Sequence, residues 1–224
     1  MKPQKKKLVL VGVSGTANVI LHDLRNPATE VAGFAVERKY LTEQERFGLP
    51  VVPLEEIEQR FPPDEHEALV TISCSRLNRN RARIFEAIKT KGYKCANHVS
   101  PDAILGPQVQ LGENIIIMPG AQVQYGCQIG DDTIIWSGVT VLHETVVGSH
   151  VVINANTIIA GECKIGDYCI FGVGSSAVDG LEIGQDCTVG AGSVVVKNLA
   201  ANTFIRPQKM FVKEDASREF WENR

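Results

Sequence analysis

The 224-residue sequence predicts a small α/β domain over residues 1–96, a parallel β-helix over residues 97–200 and a tail over residues 201–224. Three observations predict this class. In the second part an apolar residue recurs at every sixth position, and a mostly small residue follows each of them four positions later. The first part instead alternates strand-like and helix-like segments. A hexapeptide repeat is typical of a parallel β-helix.

The first 96 residues read as a short series of strands and helices. The predicted elements are a buried strand at 7–12, a turn of small residues at 12–17, a helix at 18–24 ended by Asn26-Pro27, buried strands at 31–36 and 68–73, and an amphipathic helix at 81–91 closed by Gly92. Such alternation predicts a parallel sheet with covering helices.

The apolar hexad of the second part runs without exception from Leu105 to Val195. At the second inward position, four residues after each apolar one, 13 of 15 residues are Ala, Val, Ser, Thr or Cys. Large and small residues at alternating inward positions suit a narrow, closely packed prism. Three hexads make one coil, so residues 18 apart lie above one another at the strand spacing of about 4.8 Å. We expect the coils to end near Val196, and a short helix at 214–223 in the tail.

Composition and charge narrow the classes of partner. The net charge is −3 and the pI is near 6.0, so no overall positive field favours nucleic acid. Without an 18-residue apolar run or a signal-peptide pattern, we expect a cytoplasmic protein that does not cross a membrane. Four of the six cysteines occupy small inward positions, which we interpret as buried thiols, although a disulfide between the stacked Cys169 and Cys187 is geometrically conceivable.

The turn after the first strand is a candidate binding site. It contains Gly12, Ser14, Gly15 and Thr16. A glycine turn between a strand and a helix can present backbone N–H groups to a phosphate. The full G-x-G-x-x-G pattern of a redox dinucleotide site is absent. Two interpretations stay open: a tight structural turn, or a cradle for a mononucleotide or nucleotide sugar.

Charged residues farther along the first part extend this hypothesis. Arginines crowd residues 76–83, which is either a solvated helix start or a segment from which Asn78 and Arg81 reach a diphosphate. Glu37 follows the second strand, where a carboxylate can bond a ribose or a base edge.

The coils contain two histidines, His143 and His150. His143 lies outside both inward phases, with Glu144 beside it, Tyr125 one coil below and Gly161 one coil above. An imidazole can take a proton from a nucleophile, a carboxylate can orient it, and a free backbone N–H can stabilise an oxyanion. These groups suit acyl transfer from a thioester; the alternative is a surface histidine. His150 alone cannot complete a zinc site, so we expect no metal.

The glycine turn, the segment Gly33-Phe34-Ala35-Val36-Glu37, the His143-Glu144 pair and the coils around them resemble bacterial nucleotide-sugar acetyltransferases. The likeness covers about residues 7–200. That family includes N-acetyltransferases for 4-amino sugars of the bacillosamine, viosamine and perosamine type, with relatives that resemble sialic-acid O-acetyltransferases. Their α/β domain is joined to a left-handed β-helix, and the resemblance therefore implies a left-handed sense here.

The resemblance also implies an acetyl-CoA-dependent homotrimer whose sites lie between neighbouring β-helices. His143 would be the general base, Glu144 its partner, and Gly161 the donor of an N–H to the thioester oxygen. The residues expected along the coenzyme channel are Val152, Gly161, Val173 and Ala191.

In the first part, Ser14, Gly15 and Thr16 match the phosphate-contacting turn of the family, and Glu37 matches the second of two acidic residues. The sequence departs from the family pattern at two positions of the first part and one position of the coils. Val36 replaces the first acidic residue, Thr16 replaces the usual turn histidine, and Val152 stands where some relatives have a histidine.

The expected activity is N-acetylation of a nucleotide-linked amino sugar, a step that in this family often feeds polysaccharide biosynthesis. We expect direct transfer without an acyl-enzyme, because the inward cysteines and serines are unsuited to attack. The alternatives are O-acetylation of a sugar such as a sialic acid, transfer of a longer acyl group, and an inactive nucleotide-sugar-binding scaffold.

Overall fold

The computed structural model describes residues 7–24, 29–72 and 74–207. The elements of its first part are the strands β1 (Lys7–Val11), β2 (Val31–Val36), β3 (Glu45–Arg46), β4 (Leu49–Pro53) and β5 (His66–Val70), and the helices α1 (Gly15–Asp23), α2 (Ile57–Arg60) and α3 (Arg79–Thr90). Short 3₁₀ turns span Arg38–Tyr40 and Leu54–Glu56. The strands form one sheet in the order β3-β4-β2-β1-β5, parallel except for the β3–β4 pair.

The predicted alternation of strands and helices in the first part is confirmed, with shifted bounds. Both α1 and α3 begin earlier than expected, at Gly15 and Arg79. The β3–β4 hairpin was not expected. Its turn places Phe47 and Gly48 at φ angles of 53° and 75°, the left-handed pair that a two-residue hairpin needs, and phenylalanine at such a position is a weak sequence signal. The expected helix end at Asn26-Pro27 lies outside the described residues.

The second part is a stack of two-residue parallel strands on three faces. The first face contains β6 (His98–Val99), β9 (Ile116–Ile117), β12 (Ile134–Ile135), β15 (Val152–Ile153), β18 (Ile170–Phe171), β21 (Thr188–Val189) and β23 (Phe204–Ile205). The second face contains β7 (Ile104–Leu105), β10 (Gln122–Val123), β13 (Thr140–Val141), β16 (Ile158–Ile159), β19 (Ser176–Ala177) and β22 (Val194–Val195). The third face contains β8 (Gln110–Leu111), β11 (Gln128–Ile129), β14 (Val146–Val147), β17 (Lys164–Ile165) and β20 (Glu182–Ile183).

The coil period confirms the hexad prediction. Thr140 pairs with Gln122 below and Ile158 above, each 18 residues away. Both inward phases form one continuous core inside the prism, which is a left-handed β-helix. Burying each aliphatic side chain stabilises the fold by about 1.5–3 kcal/mol. The coils therefore carry their own core, and their outer corners are free to hold functional groups.

The stack is longer at its C-terminal end than the sequence predicted. β23 pairs with β21, so the coils continue past Val196 to Ile205. The short helix expected at 214–223 lies outside the described residues. Within the ranges 7–24, 29–72 and 74–207, no helix is long and apolar enough to cross a membrane.

The sheet of the first part packs its α1 side against the first face of the coils. Ala17 and Ile20 of α1 share one apolar cluster with Ile116, Ile134 and Val152 of the coils. The other side of the sheet is covered by α2 and α3 through a separate cluster. Among the described residues, the second and third faces of the prism contribute nothing to the cluster shared with α1.

Candidate active site

His143 lies at the corner between the second and third faces of the coil stack. The corner is held by the neighbouring coils, because the Glu144 N–H donates to the Tyr125 carbonyl and the Glu162 N–H donates to the His143 carbonyl, both at 2.9 Å. The sequence-derived order of Tyr125, His143 and Gly161 along one column is therefore confirmed. The imidazole is half exposed, at 48% of its side-chain surface, so a substrate can reach it.

Carboxylates surround this imidazole. Its Nδ1 lies 3.9 Å from a Glu144 oxygen, a distance suited to charge attraction but too long for a hydrogen bond. The ligand atoms of His143, Glu144 and Glu162 lie within 4.8 Å of one another, and all three side chains are exposed. Among the described residues this is the group that could hold a metal ion, but water competes with any ligand at so open a site. The negative charges can also stabilise the imidazolium that forms when the ring accepts a proton.

Gly161 makes room for the imidazole ring. A Cβ at this position would lie 2.5 Å from Cε1, 2.7 Å from Nε2 and 3.0 Å from Nδ1 of His143. The role expected for its backbone N–H needs correction. That N–H donates to Oδ1 of Asp179 at 3.0 Å, so in this conformation it is not a free oxyanion donor. Asp179 lies 18 residues ahead, and the same kind of bond joins the Ser149 N–H to Asp167, which marks it as a recurring feature of the coils.

The residues expected along the coenzyme channel fall in three different environments. Val173 and Ala191 are exposed and stack on each other at the corner between the first and second faces. Gly161 lies at the His143 corner. The expectation that Val152 lines a coenzyme channel needs correction. Val152 is 1% exposed and packs against the first part of the chain, because the α/β domain covers the first face. Within one chain, His143 and Val173 thus border opposite edges of the second face.

A cavity of about 320 Å³ opens at the carboxyl ends of β1 and β2. The residues that line it are Val11, Gly12, Val13, Ser14, Ala35, Val36, Glu37, Lys39, Tyr40, Leu54, Ile72, Ser75, Asn80, Arg83 and Ile84. The position is the one where ligands bind in open α/β sheets. His143 does not line this cavity.

Gly12, Ser14 and Glu37 line this cavity, whereas the other expected turn residues, Gly15 and Thr16, do not. Ser14 lines it and its hydroxyl donates to the Thr71 carbonyl at 3.1 Å. Gly15 begins α1 and would have open space around a Cβ, whereas Thr16 is buried. Ser14 makes no side-chain cap on the first turn of α1.

The charges at the cavity mouth come from Glu37, Lys39 and Arg83. The Glu37 carboxylate pairs with the Arg83 guanidinium at 2.9 Å and with the Lys39 ammonium at 3.4 Å. Two cations thus share one carboxylate beside the glycine turn. The arrangement leaves net positive charge, which suits a phosphorylated ligand.

Asn78 and Arg81 do not reach this cavity, which corrects the expectation that they would contact a diphosphate. Both are fully buried. Arg81 pairs with Asp132 of the coils at 3.0 Å, and the Asn78 amide donates to the His150 carbonyl at 2.7 Å. A signal was available in the sequence, since Arg81 precedes Ile84 and Ile88 by three and seven residues and so lies on the buried stripe of α3. The cavity is lined instead by residues on the adjacent side of the helix, Asn80 and Arg83.

The six cysteines are free thiols. Those of the coil interior donate to backbone carbonyls, as Cys169 does to Gly184 at 3.2 Å. Burial raises the pKa of Cys169 to about 12, and burial also raises that of Cys95 to about 12. The interpretation of the four coil cysteines as buried thiols is confirmed, and only Cys74 is exposed.

Comparison with known proteins identifies the coils and the overall architecture. Residues 108–143 match the family model described as bacterial transferase hexapeptide (six repeats). The acetyltransferase domain of PglB from Neisseria gonorrhoeae superposes with a TM-score of 0.81 at 24% identity, over 90% of this chain and 97% of that one. It has also been solved in complex with acetyl coenzyme A.

A second solved structure resembles the chain over a similar length. PerB from Caulobacter crescentus, in complex with CoA and GDP-perosamine, has a TM-score of 0.81 at 27% identity and covers 90% of this chain and 94% of that one. Variants of this perosamine N-acetyltransferase in which a histidine is replaced were solved with the same two ligands. No curated protein sequence matches the chain. Its repeats match that transferase model over residues 108–143, and its fold has the same two-part architecture as PglB and PerB.

Proposed function

We propose that the chain is an acetyl-CoA-dependent N-acetyltransferase that acts on the amino group of a nucleotide-linked amino sugar. The observation that carries the proposal is the joint presence of two features in one chain: a cavity at the glycine turn with cationic side chains at its mouth, and an exposed His143 seated against Gly161 on the coils. PerB, which combines the same two parts at 27% identity, holds CoA and GDP-perosamine.

The proposed chemistry is direct transfer. The neutral amine attacks the thioester carbonyl carbon, and the C–N bond forms as His143 accepts a proton from the amine nitrogen. The tetrahedral intermediate then collapses, the C–S bond breaks, and the CoA thiolate leaves and takes a proton. Glu144 and Glu162 act on the imidazolium through charge rather than through a hydrogen bond. Gly161 contributes space for the ring.

We further propose that the active unit is a homotrimer. His143 and Val173 lie at the two corners that border the second face, so within one chain the width of this face separates them. The outward row of the second face holds the exposed apolar side chains of Ile104, Ile158 and Val194, together with the polar residues Gln122, Thr140 and Ser176. Packing this row against a neighbouring coil stack would bury apolar area and would bring the His143 corner of one chain near the Val173 corner of the next.

The test is release of free thiol from acetyl-CoA with a panel of UDP-, dTDP- and GDP-linked 3-amino and 4-amino sugars. We expect turnover with one amino sugar and a loss on the order of 10²-fold or more for His143→Ala. Turnover with a free sugar hydroxyl, or with a longer acyl donor only, would contradict the proposal as stated. Turnover that is unchanged in His143→Ala would remove His143 from the chemistry. Both co-substrates are cytoplasmic metabolites, so we propose a cytoplasmic reaction.

A further inference from the structure

One column of coil residues makes a series of polar and aromatic contacts with α3 and β5. It contains Asn114, Asp132, His150, Tyr168 and Asp186, spaced by 18 residues at the corner between the third and first faces, and is called the docking column below. All five have left-handed φ angles between 54° and 60°. This conformation is uncommon for residues other than glycine and turns each side chain outward at the same angle.

Asp132 is the centre of the docking column. Its carboxylate is fully buried and accepts from Arg81 Nε at 3.0 Å and from Asn114 Nδ2 at 2.8 Å, while its second oxygen lies 2.9 Å from His150 Nδ1. The Asn114 amide in turn exchanges two bonds with the backbone of Val70 at the end of β5. The Asp132 carboxylate therefore links α3 to three successive coils directly, and it links the end of β5 to them through Asn114.

The rest of the column continues the contact along α3. The His150 ring stacks on Tyr168 with centroids 4.7 Å apart and meets Phe85 edge-on. The Arg79 guanidinium lies 3.3 Å above the Tyr168 ring and pairs with Asp186 at 2.6 Å. Two turns of α3 are thus held at defined heights on the coils.

The same helix forms a wall of the cavity. Asn80 and Arg83 line it; Asn80 immediately precedes the buried Arg81 in the sequence, and Arg83 follows it by two residues. The segment that precedes α3 is held as well, because Asn78, the last of three consecutive left-handed residues, donates to the His150 carbonyl. A helix moves as a rigid body, so the position of Arg81 on Asp132 fixes where Asn80 and Arg83 present a ligand.

Stability alone is a poor explanation for this polar cluster. Elsewhere the two parts share a large apolar cluster, beside which the polar contacts are the small buried group around Asp23 and His98 and the exposed pair of Lys89 with Glu113. A buried ion pair contributes little net stability compared with well-packed apolar side chains. The cluster also leaves Arg81 Nη1 and Asn78 Oδ1 buried without a hydrogen-bond partner among the described residues. Such an arrangement specifies geometry at some expense of stability.

We propose that Asp132 and Arg81 are positioning residues for the transfer reaction: they hold the nucleotide cavity at the distance and angle from the coils at which a bound amino sugar reaches the acyl donor. This rests on the proposed function. Disrupting the cluster should therefore lower kcat, whereas the affinity of the cavity for the nucleotide should stay unchanged. A displacement on the order of 1 Å can cost a reaction about 100-fold.

The test is the double variant Arg81→Met with Asp132→Asn. It removes both buried charges, keeps most of the volume, and puts in place of the carboxylate an amide that can still bond both Asn114 and His150. We expect a melting temperature close to that of the wild type and an unchanged dissociation constant for the nucleoside diphosphate part of the preferred substrate. We expect kcat to fall about 10-fold or more, and amides in residues 75–85 to exchange hydrogen faster. The matched control is Lys89→Gln, which removes the exposed ion pair between α3 and Glu113 of the coils and should change none of these quantities.

The outcomes separate the two proposals. If the wild type transfers no acetyl group to any amino sugar, the proposed function fails, and hydrogen exchange still reports whether Asp132 holds α3. Faster exchange with unchanged kcat would overturn the positioning role, as would unchanged exchange with unchanged kcat. An equal loss of kcat in Lys89→Gln would show a general sensitivity of the interface and would also overturn it.

Discussion

At the scale of single residues, Gly161 is the coil position that lies against the ring of the candidate base, His143. Its N–H is occupied by Asp179, so the role of the glycine is steric. No side chain other than hydrogen fits between this backbone and the His143 ring.

Gly161→Ala should therefore abolish most activity while leaving the fold intact. The new Cβ would lie 2.5 Å from the His143 ring, and the half-exposed ring can swing away at little cost in folding free energy. We expect kcat/KM to fall on the order of 10²-fold with a nearly unchanged melting temperature. In the double variant with His143→Ala the glycine substitution should have no further effect, because the ring it displaces is gone. Additive losses would show that Gly161 acts by another route.

The cysteines provide a second residue-scale prediction. Burial raises the pKa of Cys95 and Cys169 to about 12 and also raises the pKa of Cys127 and Cys163. The thiolate is the reactive form. At about pH 8, near the pKa of an ordinary thiol, a disulfide reagent should thus modify Cys74 quickly and the buried thiols only after denaturation. Fast modification of several thiols in the native protein would contradict the packing described for the coils.

At the scale of elements, α1 and the first coil are joined by a buried pair. His98 of β6 contacts Asp23 of α1 through Nε2 at 2.8 Å, and both side chains are 4% exposed. Burial lowers the pKa of His98 below 6.5, outweighing the hydrogen bond and the charge of Asp23, which act in the opposite direction. The folded protein therefore holds this ring neutral at pH values where the unfolded chain protonates it.

The stability of the folded protein should decrease toward acid pH because of His98. As pH falls below 6.5, the unfolded chain gains a proton at His98 that the folded chain does not, so the free energy of unfolding decreases toward acid by up to about 1.4 kcal/mol per pH unit. His98→Gln keeps a donor for Asp23 and should flatten the curve of melting temperature against pH between about 5 and 7. His22→Gln, at a position of α1 that is more open to solvent, is the matched control and should leave the slope unchanged. An identical slope in His98→Gln would disprove the assignment.

At the scale of the whole molecule, the second face of the prism is the candidate surface between chains. Ile158 is 49% exposed near its centre, and the His143 and Val173 corners border it. A monomer would leave the apolar side chains of Ile104, Ile158 and Val194 on this face in water.

Ile158→Asp should break the proposed trimer, since each interface would bury an uncompensated carboxylate. We expect sedimentation as a monomer, a circular dichroism spectrum like that of the wild type, and loss of acetyl transfer because each site needs two chains. Gln128→Glu on the third face adds the same charge in an exposed outward position and should preserve the trimer. A fully active monomer would refute the intersubunit site.

The coil architecture was predictable from the sequence because each coil repeats the environment of the one before it. Residues 18 apart meet by construction, so the column of Tyr125, His143 and Gly161 could be placed without coordinates. The approach of Gly12 and Ser14 to Glu37 was also predictable, because parallel strands end at a common edge.

Contacts between the repeating and the non-repeating parts could not be read in the same way. Only the tertiary structure decided that Arg81 pairs with Asp132 while Arg83 faces the cavity, and that Val152 is covered by the α/β domain. The physical reason is that local patterns determine which side chains point outward, whereas the partner that each outward side chain finds depends on the rigid-body position of the two parts. That position is set by the sum of many long-range contacts, and no period in the sequence encodes it.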